Sequence, residues 1–171
     1  MVPNKIPVIS IVGRSKVGKT TFIERLLPAL NAKGIRVATV KHHPHDFEID
    51  LPNKDTYRHK KAGAKITIIS SPHKIAIVRD VEKEFTVEEI LLRFVDDVDI
   101  LITEGYKKGT MPKIEVYGMD DKAQPVCEND KNLIAVISDR PVPTSLPRFS
   151  RDDVEGVADL IVSEFIGKKA S

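Results

Sequence analysis

The sequence predicts an α/β fold, a mainly parallel sheet flanked by helices in three layers, with a small β-hairpin added. Three observations lead to it. Strand-like and helix-like segments alternate along the chain, the segments Val98–Thr103 and Leu133–Ile137 are apolar on both faces, and the helical segments carry apolar stripes. A strand that is apolar on both faces needs cover on both sides.

Pro7–Val12 is a Val/Ile strand that runs directly into Gly13. Thr20–Lys33 follows as a helix, with Phe22, Leu26, Leu27 and Leu30 on one face, and Pro28 inside it predicts a kink or a one-turn break. Gly34 supplies the cap, and Ile35–Lys41 is a second strand. His42–Ala64 is polar with few apolar anchors, the profile of a functional or mobile loop. Ile66–Ser71 and Ile75–Arg79 make the hairpin, and Thr86–Val95 is an amphipathic helix with Thr86 near its cap. Lys113–Tyr117 is a further strand. Pro141–Pro147 is a loop, and Ser150–Ile166 is the last helix, with Ser150 and Asp153 in capping-box-like spacing.

The 171 residues suit one domain over 1–171, and 41% hydrophobic with 30% charged residues suits a soluble protein. A formal net charge of +2, without a run of five like charges, is too mild for nucleic acid to be the main partner. Cys127 is the single cysteine, so no internal disulfide and no paired-cysteine zinc site can form, and a reducing compartment follows. No leader is visible in Met1–Pro7, and the longest apolar runs are strand-sized, so a cytoplasmic location with no membrane contact is expected.

Gly13-Arg14-Ser15-Lys16-Val17-Gly18-Lys19-Thr20 fits the phosphate-loop pattern GxxxxGK[ST] at each fixed position. Glycine lets backbone N–H groups approach phosphate oxygens, and the helix that opens at Gly18–Thr20 aims its unpaired amides at the same anion. Lys19 is placed for the β- and γ-phosphates, the Thr20 hydroxyl for Mg2+, and Thr21 lies next in the first turn. The preceding strand and following helix are the context that this motif requires. The fold is therefore read as that of a P-loop NTPase.

Val98–Gly105 is an apolar strand ending in an acid and a glycine. Glu104 lies at the strand end where open α/β sheets bind ligands, whereas Asp99 would be roughly 15 Å away at about 3.3 Å per residue. Glu104 is thus the preferred metal and catalytic carboxylate, beside Lys19. The run Lys41-His42-His43-Pro44-His45-Asp46, with Asp50 further on, reads as a switch-like loop. In it Lys41 and the histidines approach phosphate and Asp50 approaches Mg2+; a histidine metal site and a solvated loop are the alternatives.

Taken together, the chain resembles the molybdopterin-guanine dinucleotide biosynthesis protein B (MobB) family. The resemblance rests on Gly13–Thr20, Lys41-His42-His43-x-His45, Asp50 with Lys54-Asp55, Ala62-Gly63-Ala64, Thr103-Glu104-Gly105-Tyr106-Lys107 and Pro112-Lys113-Ile114-Glu115. It implies a homodimeric GTP-binding protein with weak GTPase activity and Mg2+. It also implies a MobA-like guanylyltransferase as partner, which joins GMP to molybdopterin, with molybdopterin itself or a molybdoenzyme as further partners. By carry-over, Gly13, Gly18, Lys19 and Thr20 hold phosphates, Thr20 and Glu104 serve Mg2+, and Asp50 is a further metal or water ligand. Lys16 departs from the pattern, standing where glycine or asparagine is commoner, and Asn53 stands where glycine often precedes the Lys-Asp pair. Arg14 reads either as a phosphate contact across a dimer interface or as a solvated residue.

Guanine preference is inherited from the resemblance, since Asn-Lys-x-Asp is absent from the sequence. Asp139 stands where a carboxylate can accept from a guanine edge, and equally where a turn precedes Arg140-Pro141. The rival readings are a small-molecule kinase, an ATP-dependent switch on the same loop, a non-enzymatic nucleotide-gated adaptor whose bound state recruits a partner, and metal chaperoning through His42, His43 and His45.

Overall fold

The computed structural model describes residues 6–118 and 125–167, so residues 1–5, read above for a leader, lie outside the described set. The chain divides into two compact units, one drawn from the segments up to His42 and from Phe94 onward, the other from His43–Arg93.

In the first unit the strands β1 (Val8–Val12), β2 (Val37–Lys41), β5 (Ile100–Glu104), β6 (Lys113–Val116), β7 (Leu133–Ile137) and β8 (Arg148–Phe149) form one sheet. Its order is β2-β5-β1-β6-β7-β8, and every pairing in it is parallel. The helices α1 (Lys19–Ala32) and α4 (Val154–Ile161) flank it, and a π-helical turn over Val162–Ile166 extends α4. Alternation along the strands sends Ile9, Ile11, Ile100, Ile102, Ile114 and Val116 into one core with Phe22, Leu26 and Leu30 of α1 and Val157, Ala158 and Ile161 of α4. A second cluster joins Val12, Tyr117, Cys127, Leu133 and Val136.

α1 runs through Pro28 without the break that the sequence suggested. An interior proline costs about 3 kcal/mol. Phe22, Ile23, Leu26, Ala29 and Leu30 are buried around it, at roughly 1.5–3 kcal/mol for each large side chain, so packing holds the helix together. Its end is closed where expected, with Gly34 N–H donating to Asn31 O at 2.9 Å and Ile35 N–H to Leu30 O at 3.1 Å. Arg148–Phe149, outside every predicted element, adds β8 as a two-residue edge strand. At α4 the cap is Asp153 alone, whose carboxylate accepts from Gly156 N–H at 3.0 Å; Ser150 lies upstream and gives only its carbonyl, to Asp153 N–H. The helix therefore starts later than Ser150.

The second unit holds α2 (Asp55–Lys61), the antiparallel hairpin of β3 (Ile66–Ser71) and β4 (Lys74–Arg79), and all but the last residue of α3 (Val87–Phe94). α2 lies within the stretch that the sequence presented as a loop. None of its residues is buried, so no apolar stripe announces it. Charge order favours it instead, with Asp55 in the first turn and Arg58, His59, Lys60 and Lys61 in the last, matching the helix dipole. Lys60 ties its end to the hairpin through Ala64 O, Lys65 O and Asp80. α3 opens with a full capping box, Thr86 N–H to Glu89 Oε2 at 2.9 Å and Glu89 N–H to Thr86 Oγ1 at 3.2 Å. No helix among the described residues is long and apolar enough to cross a membrane.

β6 carries two charged groups into the interior. Lys113 is fully buried, and its ammonium donates to Gly109 O and Met111 O and pairs with Asp130 at 2.8 Å. Glu115 accepts from the amides of Val126 and Cys127 at 2.7 and 3.0 Å; burial pushes its carboxyl up, and these two bonds partly offset that. The hydrogen bond from Lys113 holds the Asp130 carboxyl below its ordinary value. A depressed carboxyl contributes stability above its unfolded value near 3.9, and that stability is lost as pH falls through the folded value. Asp130→Asn is expected to cost about 2–3 kcal/mol at neutral pH, because it strips a buried ammonium of its counter-charge. Urea unfolding at pH 7 and pH 3 checks this: the gap between wild type and variant should narrow at the lower pH.

Candidate nucleotide-binding site

β1 ends at Val12 and the chain turns through Gly13–Gly18 into α1. Gly13 has φ +142°, and a Cβ there would lie 2.4 Å from Val116 O, so both the turn and the approach to β6 demand glycine. Gly18 has φ +90° and forms the N-cap of α1. Lys16 also adopts positive φ, +61°, which gives a physical reason for the small residue expected at that position. Arg14, Ser15 and Lys16 are exposed, and Val17, Gly18 and Lys19 half-buried.

The Lys19 ammonium folds over the turn and donates to Arg14 O at 2.7 Å and Gly13 O at 3.4 Å. Burial lowers its pKa, opposed by the Glu104 carboxylate and reinforced by the charges of Lys107 and Lys41. Thr20 Oγ1, in the first turn of α1, lies 2.9 Å from both carboxylate oxygens of Glu104, and Lys41 Nζ lies 3.5 Å from Oε2. A hydroxyl and a carboxylate converging from two elements are hard oxygen donors, the set that Mg2+ takes when phosphates and water complete its shell. Asp99, at the other end of β5, is clamped by Arg36 through Nε and Nη2 at 3.1 and 3.2 Å and by the Arg36 amide at 2.8 Å. It is structural.

Residues 8–139 match the family model for molybdopterin guanine dinucleotide synthesis protein B (MobB). The chain belongs to the MobB family. It is 35% identical over 165 residues to the molybdopterin-guanine dinucleotide biosynthesis adapter protein of Escherichia coli K12, spanning 92% of each chain. The adapter protein of Haemophilus influenzae is 31% identical, with 92% of this chain and 89% of the relative covered. Among solved structures, a crystal structure of molybdopterin-guanine biosynthesis protein B gives a TM-score of 0.73 at 34% identity, covering 91% of this chain and 98% of the other. A crystal structure of Bacillus subtilis MobB gives 0.73 at 29% identity, over 95% and 100%. The six-stranded parallel sheet, flanking helices and hairpin are thus the MobB fold, and the chain takes its place in molybdopterin-guanine dinucleotide biosynthesis.

On this MobB scaffold the first unit gathers Gly13–Thr21, Lys41, Glu104 and Asp139 at the carboxyl ends of neighbouring strands. Asp50 belongs to the other unit, where its Oδ1 accepts from Leu51 N–H at 3.0 Å. His43 and His45 are there too, His43 Nδ1 lying 2.8 Å from His45 O, and no metal-holding cluster of His, Cys, Asp or Glu occurs among the described residues. His42 packs its ring 5.0 Å from that of Tyr106, while its N–H donates to Glu104 O at 3.0 Å. Cys127 is buried, which pushes its thiol up to about 11 and keeps it unreactive. Asp139 is held by Arg151, whose amide donates to Oδ1 at 2.8 Å and whose Nε lies 3.4 Å from Oδ2. Arg151 was missed in the sequence. It stands in an irregular segment before α4 and belongs to no motif.

Gly13→Ala is expected to cost roughly 2 kcal/mol or more, since both the positive φ and the Val116 carbonyl oppose a Cβ. Thermal unfolding of the variant, compared with the solvent-facing Ser15→Ala, measures that difference.

Proposed function

We propose that this MobB protein is a GTP-binding adapter with weak GTPase activity, assisting a MobA-like guanylyltransferase that attaches GMP to molybdopterin. The observation that carries the reading is the meeting of Thr20 and Glu104 at 2.9 Å beside Lys19, at the mouth of a loop with the spacing GxxxxGK[ST]. In this reading the amides of Gly13–Thr20 cradle the phosphates, with Arg14, Ser15, Lys16, Val17 and Thr21 completing the cradle. Lys19 leaves the Gly13 and Arg14 carbonyls for the β- and γ-phosphates. Thr20 and Glu104 hold Mg2+, and Lys41 stays beside Glu104. The cation supplies charge neutralisation on the phosphate oxygens.

Lys19 stabilises the charge that develops on the β-phosphate oxygen as the γ-phosphoryl passes to water. Among the described groups around this site, none is set apart as a base to orient water. Slow turnover and an adapter role agree with that arrangement, and the relatives carry the word adapter in their names. Asp139, its carboxylate oriented by Arg151, is the guanine-reading candidate. A cytoplasmic location is part of the same reading, since GTP is found there.

The homodimer is part of this reading. Ile66, Ile68, Ile75 and Ile77 share one face of the β3–β4 hairpin and are 45%, 57%, 63% and 48% exposed, an apolar surface suited to a second copy. Ile68→Lys should convert dimer to monomer in light scattering and leave nucleotide affinity in place; a dimer that persists moves the contact elsewhere.

The deciding experiment is calorimetric titration with non-hydrolysable GTP and ATP analogues, with and without Mg2+. The expected result is Mg2+-dependent binding that favours the guanine analogue by about tenfold, or roughly 1.4 kcal/mol. Lys19→Ala should lose about a hundredfold in affinity, and Glu104→Gln should lose the dependence on Mg2+. Preference for the ATP analogue would move the protein to an ATP-dependent switch or a kinase.

A further inference from the structure

Arg151 stands outside the phosphate motif and reaches three carboxyl-terminal strand ends at once. Its Nη1 donates to Val17 O at 2.7 Å, its Nη2 donates to Tyr117 O just past β6, and its Nε and amide hold the two oxygens of Asp139 just past β7. The side chain is only 21% exposed. Its backbone is held in turn from α1, where Arg25 Nη1 donates to Arg151 O at 3.1 Å and to Asp152 Oδ1 at 2.9 Å.

The contact with Val17 bears directly on the phosphate loop. Carbonyl and N–H of one planar trans peptide point in opposite directions. A donor that pins Val17 O therefore also fixes the direction of the Gly18 N–H, one of the amides that would cradle a phosphate. Gly18 itself is fitted to this guanidinium, because a Cβ there would lie 2.9 Å from Nη1. A planar fork can serve two carbonyls and a carboxylate together; a lysine cannot.

We propose that Arg151 is a positioning residue for the bound nucleotide, fixing the Val17–Gly18 peptide for the phosphates and orienting Asp139 for the base. The proposal rests on the reading of Gly13–Thr20 as the phosphate site. It links the two ends of the ligand through one side chain, so loss of Arg151 weakens the phosphate grip even when no base is present.

The test uses the full chain and two probes with Mg2+, inorganic tripolyphosphate and a non-hydrolysable GTP analogue, titrated into wild type, Arg151→Ala and Arg151→Lys. Arg151→Ala is expected to weaken tripolyphosphate by about tenfold, as for one lost charge-assisted hydrogen bond, and the GTP analogue by more. Arg151→Lys should recover part of the tripolyphosphate affinity and little of the additional loss seen with the nucleotide. Folded Arg151→Ala that binds tripolyphosphate as tightly as wild type overturns the proposal and leaves Arg151 a structural brace. Should Arg151→Ala fail to fold, Arg151→Lys decides: both affinities unchanged overturn it, and a nucleotide-weighted loss supports it. Wild type that binds neither probe overturns the phosphate-site reading itself, a result distinct from the others.

Discussion

Between β1 and β5 the parallel pairing sets Ile11 opposite Glu104, and the Gly105 amide donates to Ile11 O at 3.0 Å. One residue of slip would turn the Glu104 side chain to the other face of the sheet and take it away from Thr20. Neighbouring hydroxyls lock this register. Ser10 and Thr103, both fully buried, lie 2.7 Å apart, and only this alignment satisfies them both. On the far side of β5, Lys41 pairs with the same Glu104 position, so three strands agree on where the carboxylate ends up. The Gly13–Gly18 turn, the Thr20–Glu104 pair and the flanking Lys41 all inherit their geometry from this pairing.

The charges around that point are arranged against one another. Glu104 is the carboxylate that offsets Lys19, while Lys41 and Lys107 raise the cost of a charged Lys19 in its half-buried position. In the proposed reading, a polyanion arriving there would meet cations that repel each other and one acid that a divalent cation could neutralise, so anion and metal would favour each other's binding. The buried charges of β6 act more locally. Lys113 and Glu115 use up their bonding capacity on Gly109, Met111 and Asp130 and on the amides of Val126 and Cys127, fastening two connecting segments to a central strand.

Much of this was legible because parallel α/β architecture writes itself in apolar runs. β7 was readable residue for residue, and Glu104 was preferred to Asp99 from rise per residue alone, a choice that the Arg36 clamp on Asp99 accords with. What escaped depended on contacts distant in sequence or on features without an apolar pattern. α2 buries nothing, β8 spans two residues, and Pro28 is tolerated only because its neighbours pack. Arg151 reaches Val17, 134 positions away, and no local spacing encodes such a contact. The Ser150 spacing misled for a simpler reason: two residues suited to capping stood close together, and the backbone used the later one.

The hairpin has a consequence for anyone who handles the purified protein. Ile68 faces Ile77 across β3 and β4, and with Ile66 and Ile75 these side chains present branched hydrocarbon on a sheet of only two strands. Such a ribbon has two open edges, and hydrophobic, β-branched edges are where foreign strands attach. A net charge of +2 gives little colloidal repulsion against that. Where no second copy covers that face, this short ribbon offers a place for association at high concentration to begin, and threonine at Ile68 and Ile77 would keep the strand shape while making it less sticky.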